Sequence, residues 1–270
     1  MKFYDGYFEE EFKINFTQVG FHNELTNKSF LSFMEDIAGD HSTHFNMSFT
    51  ELFKKNLTWV LLNWKLQILK RPGDNEDVRV VTWGRFFNKL FVIRDFKVFN
   101  SNDELCAIAS SKWCLVDTNS HKIARLPENL DEIYNKFPEE SVFGIQDLPK
   151  LNLPNESEEV KESLNYKIRR FDLDLNKHVH NLNYLDYAYE VLPEEVYFDD
   201  KELKNVEIAY KKEVALGEEI KIELYESNND NIKIKEHSKV TFERFTETPV
   251  YTILIKSKDS DELHAIIKLY

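Results

Sequence analysis

Asp172–Tyr184 reads DLDLNKHVHNLNY, with two aspartates, an asparagine and two histidines inside nine positions. It runs straight into Asn181–Leu192, where Leu182, Leu185, Ala188, Tyr189 and Leu192 have the spacing of an amphipathic helix stopped near Pro193. A second stretch matches it from 154 positions upstream: Asn27 pairs with Asn181, Phe30 with Tyr184 and Leu31 with Leu185, without a gap. There Phe30, Phe33, Met34, Ile37 and Ala38 predict a helix over about Asn27–Gly39, with Gly39 as its stop. A helix that occurs twice, each time followed by strands, governs the reading of the whole chain.

Outward from the first helix, a short helix at Phe49–Lys54 is followed by a change of period to two. Leu57–Leu69, Val78–Phe87, Leu90–Asn100 and Glu104–Val116 are rich in Val, Ile, Phe, Trp and Thr, and Phe12–Thr17 is a short strand ahead of the helix. From Pro127 to about Ser163 the pattern dissolves into prolines, Glu, Ser and Asn, an extended connector with room for one short helix. Then the order recurs: strand Tyr166–Arg170, the polar motif, the helix, and strands near Lys204–Val214, Glu218–Tyr225, Ile232–Phe245, Val250–Ser257 and Leu263–Tyr270. Further matches keep chain order: FKI at Phe12 with YKI at Tyr166 (offset 154), Trp64-Lys65 with Tyr210-Lys211 (146), Gly73 with Gly217 (144), DELCAI at Asp103 with DELHAI at Asp261 (158).

Each copy is one long helix beside an antiparallel sheet of about five strands, whose apolar face needs a cover. The fold class is therefore α+β: a tandem double hotdog, each copy a central helix wrapped by a curved antiparallel sheet. The boundaries expected are a first hotdog at 1–130, a connector at 131–164 and a second hotdog at 165–270. The pair would mimic within one chain the dimer that isolated hotdogs form, with a homodimer of the whole chain as a further option.

At 270 residues the chain is long enough for two cores, and 42% hydrophobic with 31% charged residues is a globular balance. A net charge of −13 argues against nucleic acid as partner. The acidic start, MKFYDGYFEEEF, is not a signal peptide, and no apolar run approaches the roughly 18 residues that span a bilayer, so a cytoplasmic location without membrane contact is expected. Cys106 and Cys114 fit no CxxC pattern and read as reduced, half-buried strand residues.

The repeat is also an internal control. At the offset of 154, Asp174 faces Gly20, Asn176 faces His22 and His178 faces Glu24; at 146, Glu213 faces Gln67. The first copy keeps the helix and lacks the polar set, so one active site, in the second copy, is expected. Unpaired N–H groups at a helix N-terminus can stabilise an oxyanion. Backbone N–H groups near Val179–Asn181 are candidate oxyanion donors.

The motif, with AYKKEV at Ala209–Val214, resembles the acyl-acyl carrier protein thioesterases of plants and bacteria, whose second hotdog carries Asp-x-Asn-x-His and then a strand ending Tyr-Arg-Arg-Glu. LTWVLLNW from Leu57, VTW before Gly84, IRDF from Ile93, SSKW from Ser110 and ARLPE from Ala124 are similar to first-hotdog and linker stretches of that family. The resemblance implies that Asp174, Asn176, His178 and Glu213 are catalytic, that no metal or cofactor takes part, and that the first hotdog holds the acyl chain. Phe30, Phe33, Met34 and Trp59 are then candidates for gauging chain length, and Lys167, Arg169 and Arg170 for contacting an acidic acyl carrier protein (ACP) that delivers the chain on phosphopantetheine. Two departures stand out: Val214 follows the glutamate where some relatives have Cys, which argues against a cysteine nucleophile, and His180 replaces a common Asn.

Plainer readings compete at each position. Asp172 and Asp174 alone read as helix caps; His178, His180 and Asp174 as zinc ligands lack a third His nearby; His41 and His44 read as surface or helix-end residues; Glu213 as a solvated strand charge; the four tryptophans as core. At the level of function the alternatives are a coenzyme A thioesterase, a dehydratase acting on 3-hydroxyacyl thioesters, which has no need of Glu213, and a non-catalytic acyl-binding hotdog protein.

Overall fold

The apolar stripe that begins at Phe30 continues through Ile37 to a buried His41, so the first helix, α1, runs Asn27–His44 and passes through Gly39. Thr26 starts it by accepting the Ser29 N–H on its side chain. Gly39 leaves space in which a Cβ would meet nothing within 4 Å. Gly39→Ala is therefore expected to stabilise the protein by about 0.5–1 kcal/mol, read as a higher midpoint in chemical denaturation.

The computed structural model describes all residues except 87, 135–137, 200–202 and 228–248, and leaves aside the side chains of Phe86 and Asp131. The chain divides into two compact units, Met1–Leu148 and Pro149–Tyr270. In the first, β1 (Lys2–Tyr4), β2 (Tyr7–Lys13), β3 (Leu57–Ile68), β4 (Asp77–Phe86), β5 (Phe91–Asn100) and β6 (Leu105–Asp117) form an antiparallel sheet in the order β1-β2-β4-β5-β6-β3, and β7 (Lys122–Ala124) pairs with β6. Short helices α2 (Phe49–Phe53) and α3 (Leu130–Ile133) flank it. The strand expected over Phe12–Thr17 ends at Lys13, because Phe16–Gln18 forms a 3-10 turn.

Successive residues of β5 point to opposite faces. Arg94 turns toward α1, where its Nη1 lies 2.8 Å from His41 Nδ1. His41, in the last turn of α1, is thus a core residue rather than a surface one. Burial, followed by the Arg94 charge, pulls its imidazole down to about 2. Asp95 turns to the other face, which residues 138–148 cover: Trp83 Nε1 donates to Glu140 O at 2.9 Å, Lys112 Nζ to Asp147 at 2.8 Å, and the Lys65 ammonium sits 5.3 Å over the Phe143 ring. Val142 and Leu148 are buried there. This part of the stretch read as an extended connector packs as the second cover of the sheet. Cys106 and Cys114 are buried rather than half-buried, and burial pushes both thiols up to about 11.

In the second unit, β8 (Glu162–Lys167), β9 (Asn205–Tyr210), β10 (Glu219–Ser227), β11 (Val250–Ser257) and β12 (Leu263–Leu269) form an antiparallel sheet in the order β9-β12-β11-β10-β8. The expected strand Ile232–Phe245 lies outside the described residues. The helix expected over Asn181–Leu192 is shorter, α4 at Asn183–Tyr189, followed by α5 at Glu194–Phe198. Pro193 disfavours helical geometry at the residue before it and starts α5 as its N-cap.

The two units repeat one set of backbone bonds. Gly20 N–H to Glu24 O (2.9 Å) and Asn23 N–H to Gly20 O (3.0 Å) recur as Asp174 N–H to His178 O (2.8 Å) and Lys177 N–H to Asp174 O (3.1 Å), which keeps the offset of 154. Beyond the helix the bonds fix a different offset from the one read in sequence. Leu69 and Lys70 donate to Cys106 O as Lys211 and Lys212 donate to His264 O, and Asn75 donates to Ile14 O as Gly217 does to Ile168 O. Asn75 and Gly217 share positive φ, 66° and 82°. The counterpart of Gly217 is thus Asn75, not Gly73; that of Tyr210 is Ile68, not Trp64; and that of Glu213 is Arg71, not Gln67. Isolated identities cannot count turn residues, whereas hydrogen-bond register does.

Candidate active site

Asp174 organises the polar loop. Its Oδ1 accepts the Asn176 N–H at 2.8 Å and the His178 N–H at 3.2 Å, and its Oδ2 accepts Asn176 Nδ2 at 3.3 Å. Lys177 completes the turn at φ 66°. Asp172, one turn earlier, accepts the Arg169 N–H at 2.6 Å and the Tyr166 hydroxyl at 3.0 Å, so its carboxylate closes the 3-10 turn Arg170–Asp172. For Asp172 the plain capping role is what the geometry shows.

The loop brings His178 to Glu213. Val179 N–H donates to Val214 O at 2.9 Å, and His178 bridges to Ala215. As a result His178 Nε2 stands 3.6 Å from Glu213 Oε1, with both side chains part-exposed (34% and 63%). β9 ends at Tyr210, so Glu213 lies past the strand rather than on it. Arg71, its counterpart in the first unit, donates instead to Leu25 O at 2.8 Å and to Asn27 Oδ1 at 2.7 Å. The first unit therefore has Glu24 in place of the imidazole and Arg71 in place of the carboxylate.

Two of the expected oxyanion donors are consumed: the Val179 N–H by Val214 O and the His180 N–H by Asp172 O at 2.8 Å. The first bond ties the loop to the segment after β9, and the second ties it to the 3-10 turn Arg170–Asp172. His180 Nδ1 accepts the Leu182 N–H at 3.3 Å, which gives it a part in the helix entry. The Asn176 amide, exposed at the loop tip, remains as a side-chain donor.

The apolar candidates separate. Phe30, Phe33 and Met34 are fully buried on α1, with Phe33 stacked on Phe12 at 4.9 Å. Trp59 is half-buried, donates to Met47 O at 3.3 Å and packs on a cluster of Met47, Leu52, Val92, Leu115, Leu126, Leu130 and Tyr134 that does not contain the other three. Lys167, Arg169 and Arg170 are all exposed. Arg169 is also a brace, donating to the Tyr166 hydroxyl at 2.6 Å with its guanidinium 4.8 Å over that ring.

Three residues near the site carry polar groups that the motif reading passed over. Tyr184 is buried, and burial followed by the Glu213 charge pushes its hydroxyl up. Tyr210 donates to Asn181 O at 3.0 Å. His264, buried on β12, places Nδ1 3.2 Å from Lys212 O. The signal was present in the repeat: Tyr184 stands where the first copy has Phe30, and His264 where it has Cys106.

Residues 5–134 match the model of the acyl-ACP thioesterase N-terminal domain, and residues 155–252 that of the acyl-ACP thioesterase C-terminal domain. The chain belongs to the acyl-ACP thioesterase family. Among curated family members, the chloroplastic oleoyl-acyl carrier protein thioesterase 2 of Arabidopsis thaliana is 26% identical over 227 residues, 77% of this chain and 60% of the relative. The chloroplastic palmitoyl-acyl carrier protein thioesterase of Gossypium hirsutum is 26% identical over 216 residues, 76% of this chain and 52% of the relative. The chain thus matches about 60% of the length of the first of these relatives. Among solved structures, the 12:0-ACP thioesterase from Umbellularia californica shares the fold with a TM-score of 0.80 at 18% identity, over 100% of this chain and 98% of that one. An acyl-ACP thioesterase from Bacteroides thetaiotaomicron does so with a TM-score of 0.70 at 20% identity, over 98% and 97%. Among the described residues no helix is long and apolar enough to cross a membrane.

Proposed function

We propose that this protein hydrolyses fatty acyl-ACP to free fatty acid and the carrier thiol, with the chemistry in the second of two hotdog copies. The observation that carries the reading is His178 Nε2 at 3.6 Å from Glu213 Oε1, where the first unit has Glu24 and Arg71 instead. Family membership and the names of the relatives support the substrate class. His178 takes a proton from water, and the oxygen adds to the thioester carbonyl carbon. Asn176 Nδ2 donates to the resulting oxyanion; the C–S bond then breaks, and the imidazolium returns its proton to the departing sulfur. Glu213 orients the imidazole and stabilises its charged form. Asp174, committed to its own loop amides, holds Asn176 and His178 in place; this favours a positioning role for it over nucleophilic attack.

Under this reading the first hotdog, 1–130, gauges the acyl chain against Phe30, Phe33, Met34 and Trp59, each buried methylene adding about 0.8 kcal/mol. The stretch 131–164 joins it to the second hotdog, 165–270. Exposed Lys167, Arg169 and Arg170 supply the positive charge that an acidic carrier needs on a chain of net charge −13. The compartment assigned is the cytoplasm, whose reducing conditions suit two unpaired cysteines.

The test is release of free thiol from acyl-ACP and acyl-coenzyme A substrates of several lengths, in the native protein and in Glu213→Ala. Faster release from acyl-ACP, reduced more than tenfold by the substitution, is expected. Equal rates on coenzyme A esters would move the assignment to a coenzyme A thioesterase, and no release from either would leave a non-catalytic acyl-binding protein or a dehydratase.

A further inference from the structure

Glu213 is more than half exposed, yet the peptide bond on its N-terminal side is clamped from the protein interior. His264 is 2% exposed, and its imidazole spans two partners: Ser257 Oγ at 2.8 Å from Nε2, and Lys212 O at 3.2 Å from Nδ1. A carbonyl oxygen only accepts, so Nδ1 carries the proton. In the neutral ring Nε2 then accepts from the Ser257 hydroxyl. The Lys212 carbonyl belongs to the planar peptide unit whose nitrogen is that of Glu213. Fixing that oxygen fixes the plane from which the Glu213 side chain departs. On the C-terminal side the next fixed group is one residue further on, where Val214 O is held by the Val179 N–H of the motif loop. Glu213 thus lies between two held carbonyls, Lys212 O directly before it and Val214 O one residue after it, beside His178.

The first unit shows that the fold does not require this imidazole. Cys106 occupies the equivalent position, and its carbonyl accepts the Leu69 and Lys70 N–H groups at 2.7 and 3.0 Å, as His264 O accepts Lys211 and Lys212 at 2.8 and 3.4 Å. The Cys106 thiol turns to Glu104 O at 3.4 Å. In the unit that carries His178 and a glutamate at this turn, the side chain at this position grips the carbonyl before the glutamate. We infer that His264, oriented by Ser257, is a positioning residue for Glu213. This rests on the reading of Glu213 as part of the active site.

The experiment compares the native protein with His264→Cys, which copies the first unit, with His264→Asn, whose amide can donate to Lys212 O, and with Ser257→Ala. In thiol release from acyl-ACP, His264→Cys is expected to lower kcat about tenfold to a hundredfold with KM within twofold, as a displaced catalytic group does. His264→Asn should recover most of the loss, and Ser257→Ala should show a smaller fall than His264→Cys. Unchanged kcat in folded His264→Cys, or a loss that tracks thermal stability across the three variants, overturns the inference. Crystal structures of the native protein and of the variants decide the matter independently of turnover: the Glu213 carboxylate should leave the neighbourhood of His178 in His264→Cys and stay in His264→Asn. If that displacement occurs in a protein that hydrolyses neither thioester, the functional reading fails and the clamp stands. If the carboxylate does not move, the clamp fails whatever the activity.

Discussion

Replacing His178 with alanine is expected to lower kcat/KM for acyl-ACP about a thousandfold while leaving the denaturation midpoint nearly unchanged. The size follows from the proton-carrying role proposed for it; a thousandfold corresponds to about 4 kcal/mol of transition-state stabilisation. The small effect on stability follows from where its bonds lie. The His178 side chain is a third exposed, and the links that build the loop, from Asp174 Oδ1 to the His178 N–H and from Asp174 N–H to His178 O, are made by its backbone. Asp174→Ala is different in kind, because it removes the acceptor of two backbone N–H groups and of the Asn176 amide. It should cost a comparable factor in rate and also loosen the loop, visible as faster hydrogen exchange at Asn176 and His178. If His178→Ala retains more than a tenth of native kcat/KM, the imidazole is not the proton carrier.

Asp95→Ala is expected to cost about 3–5 kcal/mol of stability, the largest structural effect available in the first unit. Asp95 is fully buried on the sheet face covered by residues 138–148. Its Oδ2 accepts from Arg85 Nε at 2.5 Å, and its Oδ1 accepts from the Ser110 hydroxyl. Burial works to raise this carboxyl, with Arg85 and Ser110 acting against it. Removing it leaves Arg85, only 8% exposed, as a buried cation without its carboxylate. The cost should therefore fall mainly on the abandoned partner. Arg85→Met combined with Asp95→Leu should recover much of the loss, since a well-packed apolar pair avoids desolvating both ions. Denaturant titration of the two single variants and the double variant measures this. A single variant within 1 kcal/mol of native, or a double variant no better than Asp95→Ala, contradicts it.

Much of the architecture was legible because periodicity reports directly on burial. The stripe from Phe30 to Ala38 gave α1, and the alternating runs gave the strands that became β3 to β6 within a residue or two at each end. Where periodicity was silent, the structure differs from the reading. Residues 138–148 hold the sheet with a few anchors, Trp83 to Glu140 O and Lys112 to Asp147 among them, and their partners are too distant in sequence to leave a local pattern. His41 read as a surface or helix-end residue; it is in the last turn of α1, but nothing local announces that it is buried with Arg94 against it.

The same division holds at the site. From DLDLNKHVHNLNY and its upstream counterpart alone, the sequence determined that one copy has carboxylate, amide and imidazole at the positions of Asp174, Asn176 and His178 where the other has Gly20, His22 and Glu24, since that is a matter of residue identity at a fixed spacing. Tertiary structure alone decided that Asp174 is turned onto its own loop, that the Val179 and His180 N–H groups are already committed, and that Glu213 answers to Arg71. It also decided that a histidine on β12 grips the peptide bond before Glu213. The Val179 bond to Val214, the match of Glu213 to Arg71 and the grip of His264 depend on backbone register between segments far apart in the chain. Register is set by hydrogen bonds and turn lengths, which single residue identities do not count.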